Sequence, residues 1–341
     1  MEKFTKNFTI EQMAGQRLML GFEGTTLNQE LKSMIREIKP GGIILFAYNI
    51  ESPDQIARLC ADAQSHAANC DLPPLFISID QEGGVVARLS HPFTRFNGNP
   101  HINSRTDAEN FAKIIALELS GAGINMNLAP VMDVVPKGVD SIMKERAFPG
   151  DAQIVSDLGS IVIKTMQDQK IMAVAKHFPG IGRTIKDSHF SLPVLDVDID
   201  TLKSTDIKPF EAARDADVAG IMLSHIFYPR LDSKWQASLS PFIVQELLRG
   251  VLGYEGLVLT DDLDMKAIGH DMKTCVEQIL KSGIDISLIC HKGPNIGIAR
   301  QEMVRLLGSD ESLFDFGMDS MKRILKFKKK YLDAVSKGCL K

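Results

Sequence analysis

Eight short apolar runs recur along the chain, separated by segments with helical spacing. Each run is nearly continuous in apolar residues, many of them β-branched, which is the pattern of strands buried on both faces of a parallel sheet. The runs cover residues 17–22, 41–46, 75–80, 124–130, 171–177, 218–225, 256–261 and 285–290. Eight such strands alternating with helices predict the α/β class and, within it, a (β/α)8 TIM barrel.

Three of the intervening segments carry helix start signals. Residues 52–55 (SPDQ) combine an N-cap serine, a proline in the first turn and a capping-box glutamine. Thr106 and Glu109 have the spacing of a second capping box. Residues 240–241 (SP) open a third helix, and Gly253 fits just past its end.

The length of 341 residues suits one barrel of this kind. We expect a single catalytic domain over residues 1–341, with a C-terminal helical tail from about 310. A doubly wound open sheet is the main alternative. However, neither GxGxxG nor GxxxxGK[ST] follows an early strand, so the usual nucleotide-binding versions of that fold lack support.

Charge and composition argue against several classes of function. The net charge of −4 provides no global basic field, so we expect no nucleic-acid partner. No continuous apolar run is long enough to cross a bilayer, so we expect no membrane partner. The five cysteines are odd in number and lack metal-like spacing, and the first residues contain no apolar signal core. We interpret the thiols as reduced and predict a cytoplasmic location.

Polar residues gather where the predicted strands end, which is where the active site of a barrel lies. They are Asp80 and Arg88 after the third run, Glu145 and Arg146 after the fourth, Lys176 and His177 after the fifth, His225 after the sixth, and Asp261 and Asp262 after the seventh. Their convergence on one face is a stronger signal than any single residue.

Most of these residues also have a structural interpretation. One of the two adjacent aspartates could cap the following helix while the other points into the barrel mouth. Arg88 and Arg146 could be ion-pair partners, and His225 a hydrogen-bonded core histidine. Lys176 is harder to explain in this way, because a charge at the end of a buried strand needs a partner.

Asp187 and His189 stand two residues apart in the loop after the fifth run. In an extended loop these side chains project to the same side, so the carboxylate can orient the ring and favour its charged form. This predicts an acid/base group on a glycine-containing loop that can move over a substrate, with a polar surface loop as the alternative. His177, His189 and the nearby carboxylates do not match HExxH or another recognised ligand spacing, so no metal site is predicted.

Several motifs together resemble a known family. KHFPGIGRTIKDSH (176–189) closely resembles the KHFPGxGxxxxDSH signature of glycoside hydrolase family 3, in particular of its single-domain NagZ-type β-N-acetylglucosaminidases. IDQEGGVVARL (79–89) is similar to the DQEGGxVxR segment, and NLAPVMDV, KERAFPGD and TDDL have counterparts in the same order. The likeness covers nearly the whole chain.

The resemblance implies a retaining glycosidase on a (β/α)8 barrel that needs no metal or organic cofactor. Asp261 matches the nucleophile, and His189, with Asp187 as its partner, matches the general acid/base. The residues that match sugar-binding positions are Asp80, Arg88, Arg146, Lys176 and His177. The implied substrate is a terminal non-reducing β-linked N-acetylglucosamine, which in cytoplasmic members comes from cell-wall muropeptides; chito-oligosaccharides carry the same terminal sugar.

Two positions depart from the family pattern, and they bear on loop shape and substrate preference. Ile181 stands where many relatives have histidine, and Val85 where many have arginine. Rival functions are a β-glucosidase or β-xylosidase of the same family, a phosphorylase that uses phosphate in place of water, and a non-catalytic sugar-binding protein. The last would be expected to lack one of Asp261, Asp187 and His189, and all three are present.

Overall fold

A computed structural model describes residues 8–185 and 192–333 of the chain. Eight parallel strands close into a barrel in chain order, with β1 hydrogen-bonded to both β2 and β8. The strands are β1 Leu18–Leu20, β2 Gly42–Leu45, β3 Phe76–Ile79, β4 Met126–Asn127, β5 Met172–Phe178, β6 Gly220–Leu223, β7 Leu257–Asp262 and β8 Ile286–Ile289. Each overlaps one of the eight apolar runs, which confirms the predicted (β/α)8 barrel.

Helices surround the barrel and connect its strands. The longer ones are Ile10–Gln16, Gln29–Ile38, Pro53–Asn69, Arg105–Gly121, Ala152–Asp168, Lys208–Asp215, Phe242–Val251, Met272–Ser282, Pro294–Ser309 and Glu311–Leu332. Shorter helical segments are Ala47–Asn49, Asn99–His101, Ile199–Thr201, Leu202–Asp206 and Ala237–Leu239.

Two of the three predicted helix starts are confirmed. Ser52 accepts a hydrogen bond from the N–H of Gln55, and Ser240 accepts one from the N–H of Ile243. The start at Thr106 is wrong by two residues. Ser104 is the N-cap instead, because its hydroxyl accepts the Asp107 N–H at 3.1 Å.

Strands β5 and β7 are irregular at their carboxyl ends. The pairing of β5 with β6 shifts register between Lys176 and Phe178, and that of β7 with β8 shifts between Leu259 and Asp262. Such irregularities re-aim side chains beside active sites. Here they occur at the positions from which Lys176, His177 and Asp261 extend.

The helix Glu311–Leu332 packs at the amino-terminal end of the barrel, opposite the site. Buried Asp285 accepts from Arg249 and from Arg323 of that helix, each at 2.9 Å. Lys328, also from that helix, is fully buried and donates to Gln16 Oε1 at 2.7 Å. These polar contacts attach the helix to the start of β1 and to the β7–β8 region.

Among the helices of the described chain, none combines the length and the apolar composition that a membrane crossing requires. Four of the five cysteines lie in the described residues, and all four are free thiols: Cys60, Cys70, Cys275 and Cys290.

Candidate active site

The carboxyl ends of β3 and β7 open into a cavity of about 290 Å³. Asp80, Arg88 and Asp261 line it, together with Phe46 from the end of β2 and His291 from the end of β8. A larger cavity of about 1150 Å³ lies to one side, between residues 81–101 and 140–145, and contains neither Asp261 nor Asp80. We place the candidate site in the smaller cavity because the strand-end side chains meet there.

Lys176 and Arg146 converge on two carboxylates next to this cavity. The Lys176 ammonium donates to Asp80 Oδ1 at 2.7 Å and lies 2.7 Å from Glu82 Oε1. The Arg146 guanidinium is bidentate on Glu82, with Nε to Oε2 at 3.0 Å and Nη2 to Oε1 at 2.8 Å. Each buried charge therefore has a hydrogen-bonded counter-charge.

These contacts determine the charge of the network. Burial alone would raise the pKa of Glu82, but Lys176 and Arg146 lower it to about 2. Burial alone would lower the pKa of Lys176, but Asp80 and Glu82 raise it overall. Lys176 and Glu82 are thus both ionised at neutral pH, and Lys176 holds Asp80 at the cavity wall.

Arg88 contacts the other carboxylate oxygen of Asp80, the one that Lys176 does not contact. Its Nη2 lies 3.4 Å from Asp80 Oδ2, and its guanidinium carbon lies 5.5 Å from the centre of the Phe46 ring. Arg88 and Arg146 are therefore both ion-paired, as the structural interpretation expected, but Arg88 also lines the cavity.

His177 is held by a carboxylate that the sequence reading did not assign. Its Nδ1 lies 2.8 Å from Asp133 Oδ2, so the carboxylate requires a proton on that nitrogen. The other ring nitrogen, Nε2, lies 3.4 Å from Arg146 Nη2. Asp133 Oδ1 also accepts the backbone N–H of Ile181 at 2.7 Å, so one buried aspartate positions both the ring and the start of the following loop.

Asp261 lies at the end of β7, with its carboxylate at the cavity. Its Oδ1 accepts the N–H of Asp262 at 2.8 Å. Burial alone would raise the pKa of Asp261, but His225, His177, the Asp262 N–H and Lys176 together lower it. Burial lowers the pKa of His225 itself. Asp261 is therefore ionised at neutral pH beside the Lys176 ammonium and the Asp262 peptide N–H.

The expectation that Asp261 or Asp262 caps the following helix is wrong, because that helix, Met272–Ser282, begins ten residues later and has Asp271 as its N-cap. Asp262 instead holds the turn after β7 and the end of β8. Its Oδ1 accepts the N–H groups of Asp264 and Cys290, each at 3.0 Å. Burial raises the pKa of Asp262, in contrast to Asp261. His225 is the hydrogen-bonded core histidine of the structural interpretation, since its nitrogens contact Ser238 Oγ and the Asp262 carbonyl.

Asp187 and His189 lie outside the described residues. The stem of their loop is described up to Ile185 and is tightly held. Arg183 Nε donates to both carboxylate oxygens of Asp206, at 3.1 and 3.0 Å, and the Tyr228 hydroxyl donates to the Gly180 carbonyl at 2.8 Å. Gly182 approaches the Val134 backbone so closely that a Cβ would lie 1.9 Å from its carbonyl oxygen.

Glu82 and Asp133 belong to the site, although no role was predicted for either residue from the sequence. Both lie in motifs that follow a predicted strand, QEGG and VMDVV. A signal for Glu82 was available, because two cations at buried strand ends require more than one carboxylate. The pairing of Asp133 with His177 depends on how two neighbouring strand ends meet in three dimensions.

Among the described residues, Asp262, Asp264 and His291 have ligand-type atoms within 4.8 Å of one another, which is the spacing that could hold a cation. Backbone N–H groups and the Asn295 amide already hydrogen-bond the two carboxylates.

The sequence profile described as "Glycosyl hydrolase family 3 N terminal domain" matches residues 9–326. The chain belongs to glycoside hydrolase family 3. The resemblance drawn from the motifs is thereby confirmed, and the chain is a glycoside hydrolase by family.

The names of proteins similar to this chain agree with its assignment to glycoside hydrolase family 3. A beta-hexosaminidase of Methylobacillus flagellatus is 36% identical over 287 residues, covering 81% of this chain and 80% of the relative. One from Pseudomonas aeruginosa is 32% identical over 295 residues, covering 85% and 86%. A family 3 beta-N-acetylglucosaminidase from Paenibacillus sp. superimposes with a TM-score of 0.91 at 35% identity, covering 97% of this chain and 64% of that longer chain.

Proposed function

We propose that the protein is a retaining β-N-acetylhexosaminidase that removes terminal non-reducing β-linked N-acetylglucosamine. One observation carries the proposal: Asp261 is kept ionised at a cavity whose wall is formed by Asp80 and Arg88. A carboxylate in that state can attack an anomeric carbon, and ion-paired polar groups around it can bind sugar hydroxyls. The names of the relatives support N-acetylglucosamine as the sugar.

In the first step, an Asp261 oxygen attacks the anomeric carbon as the bond to the leaving oxygen breaks. His189, protonated and oriented by Asp187, gives its proton to that oxygen. The product of this step is a glycosyl ester on Asp261 and a free leaving group. His189 is then neutral and ready to act as a base.

In the second step, water attacks the same carbon from the side that the leaving group vacated. His189 takes a proton from the water, and the bond between the sugar and Asp261 breaks. Two inversions restore the β-configuration. Asp80, Arg88, Arg146, Lys176 and His177 bind or orient the sugar hydroxyls.

We further propose muropeptides of cell-wall recycling as the natural substrate, a cytoplasmic location, and a single catalytic domain ending in the helical tail. The muropeptide proposal rests on the NagZ-type motifs rather than on a described contact with the leaving group. Chito-oligosaccharides carry the same terminal sugar and serve as the comparison substrate.

A panel of chromogenic β-glycosides, with phosphate present and absent, tests the proposed reaction. We expect the N-acetylglucosaminide to be cleaved at least tenfold faster than the glucoside and xyloside, with free N-acetylglucosamine as product under both conditions. Faster cleavage of the glucoside, or a sugar phosphate as the main product, would replace this function with one of its family rivals.

The role of His189 has its own test. His189→Ala should reduce turnover of substrates with poor leaving groups by about 10²–10⁴-fold and spare activated aryl substrates, because only the poor leaving groups need a proton. Glu37→Gln, at an exposed ion pair on an outer helix, is the control and should change the rate for neither kind of leaving group. Equal losses for all leaving groups would exclude His189 as the acid.

A further inference from the structure

Tyr48 is the most exposed of the phenylalanine, tyrosine and tryptophan residues that the structure describes, at 54%, and it lies beside the candidate active site. Its ring stacks on Phe46, with 5.4 Å between ring centres and 11° between the planes. Since Phe46 covers one face and more than half of the side chain is exposed, the other face of Tyr48 is open in the described part of the chain.

Phe46 connects this open face to the cavity. Phe46 lines the same cavity as Asp261, with the Arg88 guanidinium 5.5 Å from its ring and His291 edge-on at 6.2 Å. Partial burial raises the pKa of the Tyr48 hydroxyl, with further contributions from Cys290, Glu23 and Asp262.

The turn that carries Tyr48 is rigid. Asn49 is fully buried, its amide nitrogen donates to the carbonyls of Phe22 and Gly24, and its oxygen accepts the Phe46 N–H at 2.9 Å. Gln55 in turn donates to the Asn49 carbonyl at 3.0 Å. The backbone that carries the exposed ring is thus fixed by hydrogen bonds, and a ligand that stacks on the ring does not have to order the loop.

The size of the cavity indicates which part of a substrate the open face of Tyr48 contacts. At about 290 Å³ the cavity is at the small end for ligand pockets and suits one monosaccharide ring. Any further ring of an oligosaccharide therefore lies outside it, and the Tyr48 ring, stacked on the cavity residue Phe46, is a surface available there. A sugar ring presents C–H groups on its face and hydroxyls at its edge, which match an aromatic face with a polar tip.

We propose that Tyr48, supported by Phe46, forms a stacking subsite for the saccharide ring of the leaving group. The proposal rests on the proposed hexosaminidase function and assigns the leaving group as a second sugar. Binding of that ring outside the cavity would add affinity without touching the reacting atoms.

The test compares two substrates that share the cleaved sugar: the β-linked disaccharide of N-acetylglucosamine, and trifluoroethyl N-acetyl-β-glucosaminide, whose leaving group has no ring. Tyr48→Ala and Tyr48→Leu should lower kcat/KM for the disaccharide by about tenfold, and change it for the trifluoroethyl substrate by less than about twofold. Tyr48→Phe keeps the ring and should retain most of the disaccharide activity. Phe242→Ala removes an exposed aromatic residue (43%) on an outer helix and should change neither substrate.

Equal losses on both substrates, or no loss with Tyr48→Ala, would overturn the subsite. Inhibition by free N-acetylglucosamine adds a second readout, because its Ki should be the same in wild type and Tyr48→Ala. A raised Ki would mean that Tyr48 contacts the sugar inside the cavity, which contradicts the proposal. Wild-type cleavage of the trifluoroethyl substrate reports on the hexosaminidase function independently of Tyr48, and failure to cleave either substrate would overturn both.

Discussion

At the scale of single residues, Glu82 shows how a buried charge depends on its partners. Its carboxylate is almost fully buried and contacts two cations, Lys176 and Arg146. Its pKa in the folded protein is about 2, below the ordinary value of 4.5. Because the folded pKa is depressed, the stabilisation is present above pH 4.5 and is lost as the pH falls towards 2.

We predict that Glu82→Gln lowers the free energy of unfolding at pH 7 by about 3 kcal/mol, since both cations lose a counter-charge. The variant should also lose less stability than wild type when the pH is lowered from 5 to 3. In this range the wild type begins to lose the stabilisation that ionised Glu82 provides. Denaturant unfolding at several pH values measures both effects. Glu37→Gln, at an exposed ion pair with Arg36, is the control and should change little. Parallel pH profiles for Glu82→Gln and wild type would contradict the account.

The sequence located the residues that follow strands but not all of their partners. Asp80, Lys176 and Asp261 could be predicted because parallel strands of a barrel deliver their carboxyl ends to one face. The pairings of Glu82 with Lys176 and of Asp133 with His177 join strand ends 94 and 44 residues apart in sequence, and no local pattern predicts which strand-end residues meet.

At the scale of elements, the loop after β5 is organised from its neighbour after β4. Asp133, after β4, accepts from the His177 ring and from the Ile181 N–H. It therefore couples a sugar-binding candidate to residues 179–185, which precede His189 in the chain. Arg183 and Asp206 hold the same stem from the other side.

We predict that Asp133→Asn lowers kcat/KM by up to about 100-fold while the protein remains folded. An amide keeps one oxygen but turns an NH2 group towards a hydrogen-bond donor, so either the ring or the loop is displaced. A positioning role predicts a loss mainly in kcat for slow leaving groups, measured alongside the melting temperature. Asp198→Asn, at an exposed helix N-cap, is the control. If kcat does not change in Asp133→Asn, the coupling is refuted.

Element boundaries were predictable where a single local signal stood alone. The helix from Pro53 starts where its N-cap serine and first-turn proline predicted. The helix Arg105–Gly121 starts two residues before the predicted site. Ser104 and Thr106 are both suitable N-cap residues, and sequence spacing does not show which of them caps the helix. The register shifts in β5 and β7 have no counterpart in the apolar pattern, which is the same for regular and irregular strands.

At the scale of the whole molecule, the end of the barrel opposite the site contains an unusual lysine. Lys328 is fully buried, with Gln16 Oε1 at 2.7 Å and the centre of the Phe76 ring 5.0 Å from its Nζ. Burial lowers the pKa of Lys328 well below its ordinary range. A lysine that is harder to protonate when folded costs stability below its unfolded pKa, and this cost disappears as the pH rises towards 10.5.

We predict that Lys328→Met raises the free energy of unfolding at pH 7 by about 1–2 kcal/mol. This net gain already includes the cost of losing the hydrogen bond to Gln16. The gain should shrink at pH values approaching 10.5, and glycosidase activity should not change because the site lies at the other end of the barrel. Denaturant unfolding at pH 7 and 10 measures the difference. Lys326→Met, exposed on the same helix, controls for the added apolar side chain. A variant less stable than wild type at pH 7 would contradict this interpretation.

The central claim, that Asp261 forms the covalent bond to the sugar, has a direct test. A fluorinated N-acetylglucosaminyl fluoride that slows breakdown of the intermediate should add one sugar residue to the protein, detected by mass spectrometry of the intact chain and its peptides. We predict the label on the peptide that contains Asp261, and no label in Asp261→Asn. A label on a different residue, or turnover with no covalent adduct, would contradict the account.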